Sequence, residues 1–376
     1  MINQLTSLFD ALFAQTGIGQ FWWGNVVMIG LGVTMILLAI LKRYEPFLLI
    51  GIGFACIVVN VPGSDLVSEG GLFHYAYQAV SLLIVPPLIF LGVGAMTDFG
   101  PMIANPKLVL LGAGAHLGIF VALILAKAIG FSLHEAGAIG IIGGADGPMA
   151  IFVTMKLAPH LLPQISVAAY SYMALMPLIQ PPVMRLLTTK TEREICMAKI
   201  RPVTRLEKIF FPIIIACVVT LCFPPVAPLV TMLMLGNLLR ETLIVDRLAD
   251  TAGNTILNVM TLILTAAIGS TMKADTFLTA ATLKIVALGL IAFVFGTASG
   301  VVTARFMNLF LKTKINPLIG SAGIASVPIA ARVSHIVGRE ANPRNHLIYH
   351  AMGPNLAGVF GTAISGGILL ALLGAH

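Results

Sequence analysis

Apolar residues run along this chain in blocks too long and too continuous to be the faces of soluble helices. A mildly amphipathic stretch at 1–20 contains Asp10, and Phe21-Trp22-Trp23 then forms an aromatic cluster of the kind that anchors at a membrane–water interface. Apolar segments follow at about 24–41, 47–61, 75–96, 107–127, 136–156, 163–184, 209–224, 226–240, 253–272, 282–311, 317–331 and 345–374. Uncharged runs near 20 residues predict membrane helices, so the expected fold class is all-α and multi-spanning. Several segments are shorter than that. Two of them, 136–156 and 317–331, are also interrupted by glycine and proline and predict re-entrant hairpins or unwound helices. Such backbone is tolerated at membrane depth only where it is buried in protein or lines a cavity.

The two interrupted segments correspond. Gly143-Gly144-Ala145-Asp146-Gly147-Pro148 is followed by Tyr172 and, five residues on, Pro177. Gly323-Ile324-Ala325-Ser326-Val327-Pro328 is followed by Tyr349 and, five residues on, Pro354. Asp146 and Ser326 each stand two residues before their proline. The pattern predicts a duplication: a first membrane repeat at 1–190 with its break at 143–148, a basic linker at 191–208, and a second repeat at 209–376 with its break at 316–328. Short Gly/Pro-broken segments at matching places in two halves point to a transporter's binding site.

Composition strengthens the membrane reading. Of 376 residues, 58% are hydrophobic and only 10% are charged, against about 25% charged in soluble domains; mean hydropathy is +0.99. The net charge of +7 does not point to nucleic acid, because the basic residues are scattered between apolar blocks. The densest group, Arg185, Lys190, Arg193, Lys199, Arg201, Arg205 and Lys208, marks a cytoplasmic loop by the positive-inside bias, with Lys42-Arg43 on the same side. Four cysteines (Cys56, Cys196, Cys217, Cys222) have neither CxxC spacing nor paired histidines, and those in apolar runs read as small buried hydrophobes. No Lys or Arg precedes residue 42, so no basic secretory leader is expected and the first span is retained.

Asp146 is the sharpest chemical signal. It is the only acidic residue between Glu135 and Glu192, and it lies inside an apolar segment. An intramembrane acid is costly, and its usual work is ion coordination or proton relay. Removal from water favours the protonated carboxyl and a bound cation favours the carboxylate, so one Asp can exchange H+ for Na+. The bland alternative is a cap on the following half-helix. Arg332, just past the second break, is either a snorkelling side chain or a guanidinium for a planar carboxylate. Asn316 and Asn355 supply amides at breaks, where an Asn is often just a cap, and Tyr172 supplies a hydroxyl, though a lone tyrosine is more often packing or an interface anchor. His350 reads as a satisfied buried histidine and Asp98 as an exposed acid at a span end. Walker, dinucleotide, G-x-S-x-G and HExxH motifs are missing, so ATP does not drive the chain directly.

The stretches GVGAMTDFGPMIANP (92–106), IGIIGGADGPMAIF (139–152), AAYSYMALMPLIQPP (168–182), INPLIGSAGIASVPIAARVSHIVG (315–338) and HAMGPNLAGVFGTAISGG (350–367) closely resemble the β subunit of the sodium-translocating biotin-dependent decarboxylases. That family comprises the oxaloacetate, methylmalonyl-CoA and glutaconyl-CoA decarboxylase pumps. The resemblance implies a multi-pass subunit of a bacterial or archaeal inner membrane. It would decarboxylate carboxybiotin, delivered on a biotin carrier protein, and couple that step to Na+ export with consumption of a proton. Implied partners are a carboxyltransferase α subunit, the carrier, a small single-span γ/δ subunit, membrane lipid and further copies of the chain in a homo-oligomer. By resemblance Asp146 is the central Na+/H+ carboxylate, with Asn316, Ser326 and Asn355 as Na+ ligands. Tyr172 joins the catalytic groups, and Arg332 with Asn316 lies near carboxybiotin.

One departure stands out. Oxaloacetate-type members read Val-Ser-Ala-Val-Pro where this chain reads Ile324-Ala325-Ser326-Val327-Pro328, moving the hydroxyl by one residue, about 100° on a helix. The short connection at 62–74 resembles the CoA-ester types more than the oxaloacetate type. Two other classes stay open on residues alone: a stand-alone Na+- or H+-coupled organic-anion transporter, and a structural anchor, which the buried acid disfavours.

Overall fold

The computed structural model describes residues 17–374; the stretch 1–16, including Asp10, lies outside the described residues. The longer α-helices are α1 Trp23–Lys42, α2 Pro46–Val59, α3 Leu72–Ser81, α4 Val85–Met96, α5 Val109–Ala115, α6 Leu117–Ala128, α7 Leu133–Gly140, α8 Gly147–Leu157, α9 Leu162–Leu187, α10 Arg205–Cys222, α11 Ala227–Thr242, α12 Leu257–Ser270, α13 Ala280–Phe310, α14 Ile329–Ala341 and α15 Ile348–Leu373. No strand occurs among the described residues. Five stretches are long and apolar enough to cross a membrane (Trp23–Lys42, Pro106–Ala128, Asp246–Ser270, Ala280–Phe310 and Ile348–Leu373), and seven if two broken pairs each count as one span. The all-α, multi-spanning expectation therefore holds. Apolar side chains such as Leu221, Leu309 and Phe310 stand largely exposed, as lipid-facing residues do.

The chain packs as two compact units. The first takes the described residues up to Val85 together with Val259–Leu283. Here α1 and α2 cross at a pair of glycines: a Cβ on Gly32 would lie 2.7 Å from Gly53 O, and one on Gly53 would lie 2.6 Å from Gly32 O. Small residues let membrane helices approach this closely. Asn60, buried at the end of α2, donates to Cys56 O (2.8 Å) and Met272 O (2.7 Å) and accepts from Ala274 N (3.0 Å), tying off backbone groups that the helix ends leave free.

The second unit, Pro86–Asn258 with Lys284–His376, holds both breaks. Ser132 and Glu135 start α7 with a capping box. The helix then tightens to a 3-10 turn at Ile141–Gly144 and stops at Ala145, whose φ of 56° is left-handed. The α9 helix bends by 63° between Pro159–Met173 and Leu175–Leu187. Pro177 explains the position, because it lacks an N–H and crowds the carbonyl four residues back, at Met173. The second break is a 3-10 helix, Pro317–Gly323, then extended Ile324 and a cis Val327–Pro328 peptide, then α14. The most enclosed of the five long spans is α15.

The basic connection at 185–208 is tied down. Asn316 Nδ2 donates to Arg193 O (2.8 Å) and Ile195 O (2.9 Å), Asn345 Nδ2 donates to the same two carbonyls, and Arg305 pairs with Glu192 at 2.8 Å. Thr204 and Glu207 cap α10, and Arg201 reaches Glu207 at 2.8 Å. The Arg201 hydrogen bond, followed by those from Thr204, holds the Glu207 carboxyl at about 2. A depressed carboxylate contributes fully above its ordinary value, about 4.3, and the contribution is lost as pH falls through the folded value. Amide-exchange protection at the start of α10 is therefore expected to persist down to about pH 4 and vanish toward pH 2. Glu207→Gln should lower it at neutral pH; equal protection in that variant would show that the carboxylate does not hold this cap. Cys56 is buried, whereas Cys217 and Cys222 on α10 are exposed and do not fill a core.

Candidate functional site

The first break is built around a helix start. Asp146 precedes α8, has extended backbone, and accepts Met149 N–H at Oδ1 (3.0 Å). Pro148 fits the first turn, where its missing N–H costs nothing. The cap reading is thus realised at one carboxylate oxygen. Asp146 is buried, and no cationic side chain of the described residues pairs with it. The helix N-terminus supplies part of the balancing positive charge, and an enclosed acid without a paired cationic side chain is of the kind that serves in ion coordination or proton relay. Beside it, a Cβ at Gly147 would lie 2.2 Å from the Tyr170 ring and 2.6 Å from its hydroxyl. Glycine is required for that approach, and Tyr170 is the tyrosine that lies against this break.

The second break meets the first directly. Ala325 N donates to Gly144 O at 2.9 Å, a main-chain hydrogen bond between the two interruptions. From α15, Asn355 Nδ2 donates to Ala322 O (3.0 Å) and Ile324 O (2.7 Å), while its Oδ1 is buried without a donor. From α9, Gln180 Nε2 donates to Ser321 O (3.0 Å), and Met176 Sδ accepts the Ser326 hydroxyl (2.9 Å). Met176 and Gln180 are four apart and share a helix face, so one side of α9 grips the second break at two points. The Ser326 proton is spent on sulfur, which leaves the oxygen's lone pairs uncommitted. The crossing thus carries a carboxylate, a bare amide oxygen and a serine oxygen on connected backbone, all oxygen ligands suited to a hard cation.

The other sequence candidates make separate contacts. The Tyr172 hydroxyl donates to Val286 O, and its ring packs on Phe293 at 5.4 Å and over Gly289. Asn316 caps the 3-10 helix through Leu318 N (3.0 Å) and spends its amide N–H groups on the basic connection. Arg332 lies in the first turn of α14, exposed, and no carboxylate pairs with it among the described residues. His350 is buried. Asp98 is not a free loop acid: it pairs with Lys208 (2.8 Å) in a cluster that also takes in Arg240 and Glu241. Sequence reasoning passed over Tyr170, Met176, Gln180, His116 and Thr362, each an ordinary residue within an apolar run until the breaks are seen against it.

Residues 24–373 match the family described as the Na+-transporting oxaloacetate decarboxylase beta subunit. The chain belongs to this family. It is 53% identical over 364 residues to the glutaconyl-CoA decarboxylase subunit beta of Acidaminococcus fermentans, covering 97% of each chain. It is 54% identical over 367 residues to the methylmalonyl-CoA decarboxylase subunit beta of Veillonella parvula, covering 98% of each. To the oxaloacetate decarboxylase beta chain of Klebsiella pneumoniae it is 43% identical over 423 residues, covering 96% of this chain and 98% of that one. The family's members are β subunits of decarboxylase sodium pumps, and a β subunit is by its name one part of a multisubunit decarboxylase. The apolar spans make this one a membrane component.

Proposed function

We propose that this chain is the subunit in which decarboxylation of carboxybiotin, brought by a biotin carrier protein, drives Na+ out across the cell membrane. The observation that carries the reading is the Ala325–Gly144 hydrogen bond, which joins the Asp146 break to the break held by Asn355. Na+ is the cargo, held by Asp146, the bare Asn355 Oδ1 and Ser326 Oγ, with Asn316 and Tyr172 holding the surrounding segments. When a proton takes the place of Na+ on Asp146, the carboxyl is neutral and the ion is free to leave. Arg332, exposed at the start of α14 and without a paired carboxylate among the described residues, would take the carboxylate of carboxybiotin. Carboxybiotin loses CO2 more readily once its carboxylate leaves water and a proton reaches the ureido nitrogen. Export costs about 2.3 kcal/mol per charge per 100 mV, which a decarboxylation can supply for one or two ions. The basic connection at 185–208 would face the cytoplasm, where a carboxyltransferase, the carrier and a single-span subunit assemble on it.

The alignments favour a CoA-ester holoenzyme. Those with the glutaconyl-CoA subunit and the Veillonella methylmalonyl-CoA subunit run nearly without gaps, whereas 423 aligned positions for 96% of this chain mean that the oxaloacetate relative carries insertions. Avidin capture tests the pump reading: a biotinylated partner should co-purify with this chain, and its absence would favour a stand-alone anion transporter. A finer test concerns Ser326→Ala. Apparent Na+ affinity of decarboxylation should fall about fivefold, the size of one neutral contact; an unchanged Na+ titration would remove Ser326 from the site.

A further inference from the structure

His116 occupies the joint between α5 and α6 and is not one of the residues proposed to hold Na+. It is 3% exposed. Its Nδ1 lies 2.5 Å from Gly112 O, and its Nε2 lies 2.7 Å from Thr362 Oγ1 on α15. A Cβ at Gly361 would fall 2.7 Å from the ring, so glycine there is what lets the imidazole reach Thr362. A carbonyl only accepts, and Nδ1 must therefore carry the proton. What faces the ring is the Gly112 carbonyl of α5, the Gly358 carbonyl, Gly361 and Thr362 of α15, and beyond Thr362 the Gly144 carbonyl of the break. None of these bears a charge that would hold a second proton, so Nε2 is an acceptor.

The Thr362 hydroxyl has one proton and three acceptors within reach: His116 Nε2 at 2.7 Å, Gly358 O at 3.0 Å and Gly144 O at 3.3 Å. Gly144 O already accepts Ala325 N–H, and Gly358 O has the ordinary helical bond. Nε2 has no other donor, and a bare buried acceptor is the costliest of the three to leave. The proton therefore points at His116. Thr362 Oγ1 and Gly144 O then face each other with no proton between them, and Gly144 O keeps a lone pair open.

We propose that His116, acting through Thr362, is a positioning residue for the first break: it withholds the Thr362 proton from Gly144 O and so keeps that carbonyl open to the cation that Asp146 binds. The inference rests on the proposed Na+ role of Asp146. In His116→Leu the Thr362 proton is freed for Gly358 O at 3.0 Å and Gly144 O at 3.3 Å, and whenever it takes Gly144 O it covers that lone pair.

The test is Na+-dependent decarboxylation by the purified intact complex. His116→Leu should raise the KM for Na+ about fivefold, the weight of one hydrogen bond, with kcat falling less. Adding Thr362→Val removes the misdirected proton, so the double variant should recover most of the Na+ affinity. A merely structural role predicts additive or worse loss, and that result overturns the proposal, as does an unmoved KM in His116→Leu. His116→Gln, whose amide can donate to Gly112 O and accept from Thr362, should behave as wild type even if the leucine variant fails to assemble; a KM raised in that variant also overturns it. Wild-type complex without Na+ stimulation would sink the pump reading itself, whereas wild-type stimulation with unmoved His116 variants sinks only this inference.

Discussion

Asp146→Asn is expected to abolish Na+-stimulated decarboxylation while the complex still assembles. The separation of the two effects follows from geometry. The carboxylate's structural duty is to accept Met149 N–H at Oδ1, and an asparagine oxygen does this as well, since Asn and Asp cap helices almost equally. Its ionic duty cannot be transferred. Asp146 is enclosed and, among the described residues, has no cationic side chain beside it, so under the proposed function the carboxylate and Na+ would form a buried ion pair. Removing one partner of such a pair costs about 3–5 kcal/mol, or roughly two to four powers of ten in Na+ affinity. The amide also cannot take up the proton that would replace Na+, so turnover is blocked as well as binding. The measurements are CO2 release against Na+ concentration and uptake of labelled Na+ into inverted proteoliposomes, with avidin capture as the check on assembly. Normal Na+ stimulation in the asparagine variant would end the proposal. Asp146→Ala, which also loses the cap, should in addition lower thermal stability by about 1 kcal/mol.

What could be read from the sequence and what could not divide along a physical line. The long spans were legible because the membrane imposes one requirement, an uncharged run, and that run is visible: 24–41 became Trp23–Lys42 and 282–311 became Ala280–Phe310. Asp146 was legible because one charge in an apolar block is conspicuous. The apolar run 317–331 did not stay one element, because Pro317 and Pro328 bound a 3-10 piece, and the following helix continues to Ala341 on an amphipathic pattern that hydropathy alone truncates. The tyrosines show a different limit. Tyr170 and Tyr172 are two residues apart, about 200° on a helix, and face different neighbours: Tyr170 lies on Gly147, while Tyr172 reaches Val286 O. Nothing in the sequence chooses between the faces without knowing what each packs against. The Ala325–Gly144 bond was equally hidden, since it joins main-chain atoms that carry no residue signature.

Asn355→Leu should cost the second break its shape, and with it all Na+ coupling. The amide nitrogen holds Ala322 O and Ile324 O at 3.0 and 2.7 Å in a fully buried setting. Leucine has similar bulk and no donor, so both carbonyls are left bare, at about 1–3 kcal/mol each. The backbone has little room to rearrange, because Gly358, one turn further along α15, already sits where a Cβ would lie 2.4 Å from Gly323 O and 3.1 Å from Ala325 N. Displacing Ile324 or Ala325 breaks the Ala325 donor to Gly144 O, and the first break loses its partner. Two defects are therefore expected in one variant: a lower melting temperature, and loss of Na+-stimulated decarboxylation even at saturating Na+. Asn355→Asp separates them. Aspartate supplies oxygens for a cation but no N–H for the carbonyls, so it should share the stability loss of the leucine variant. If the aspartate variant were as stable as wild type, the amide would not be holding the break, and the role of Asn355 would reduce to its bare oxygen. If both variants melted early yet kept a normal Na+ response, the crossing itself would not be the ion site.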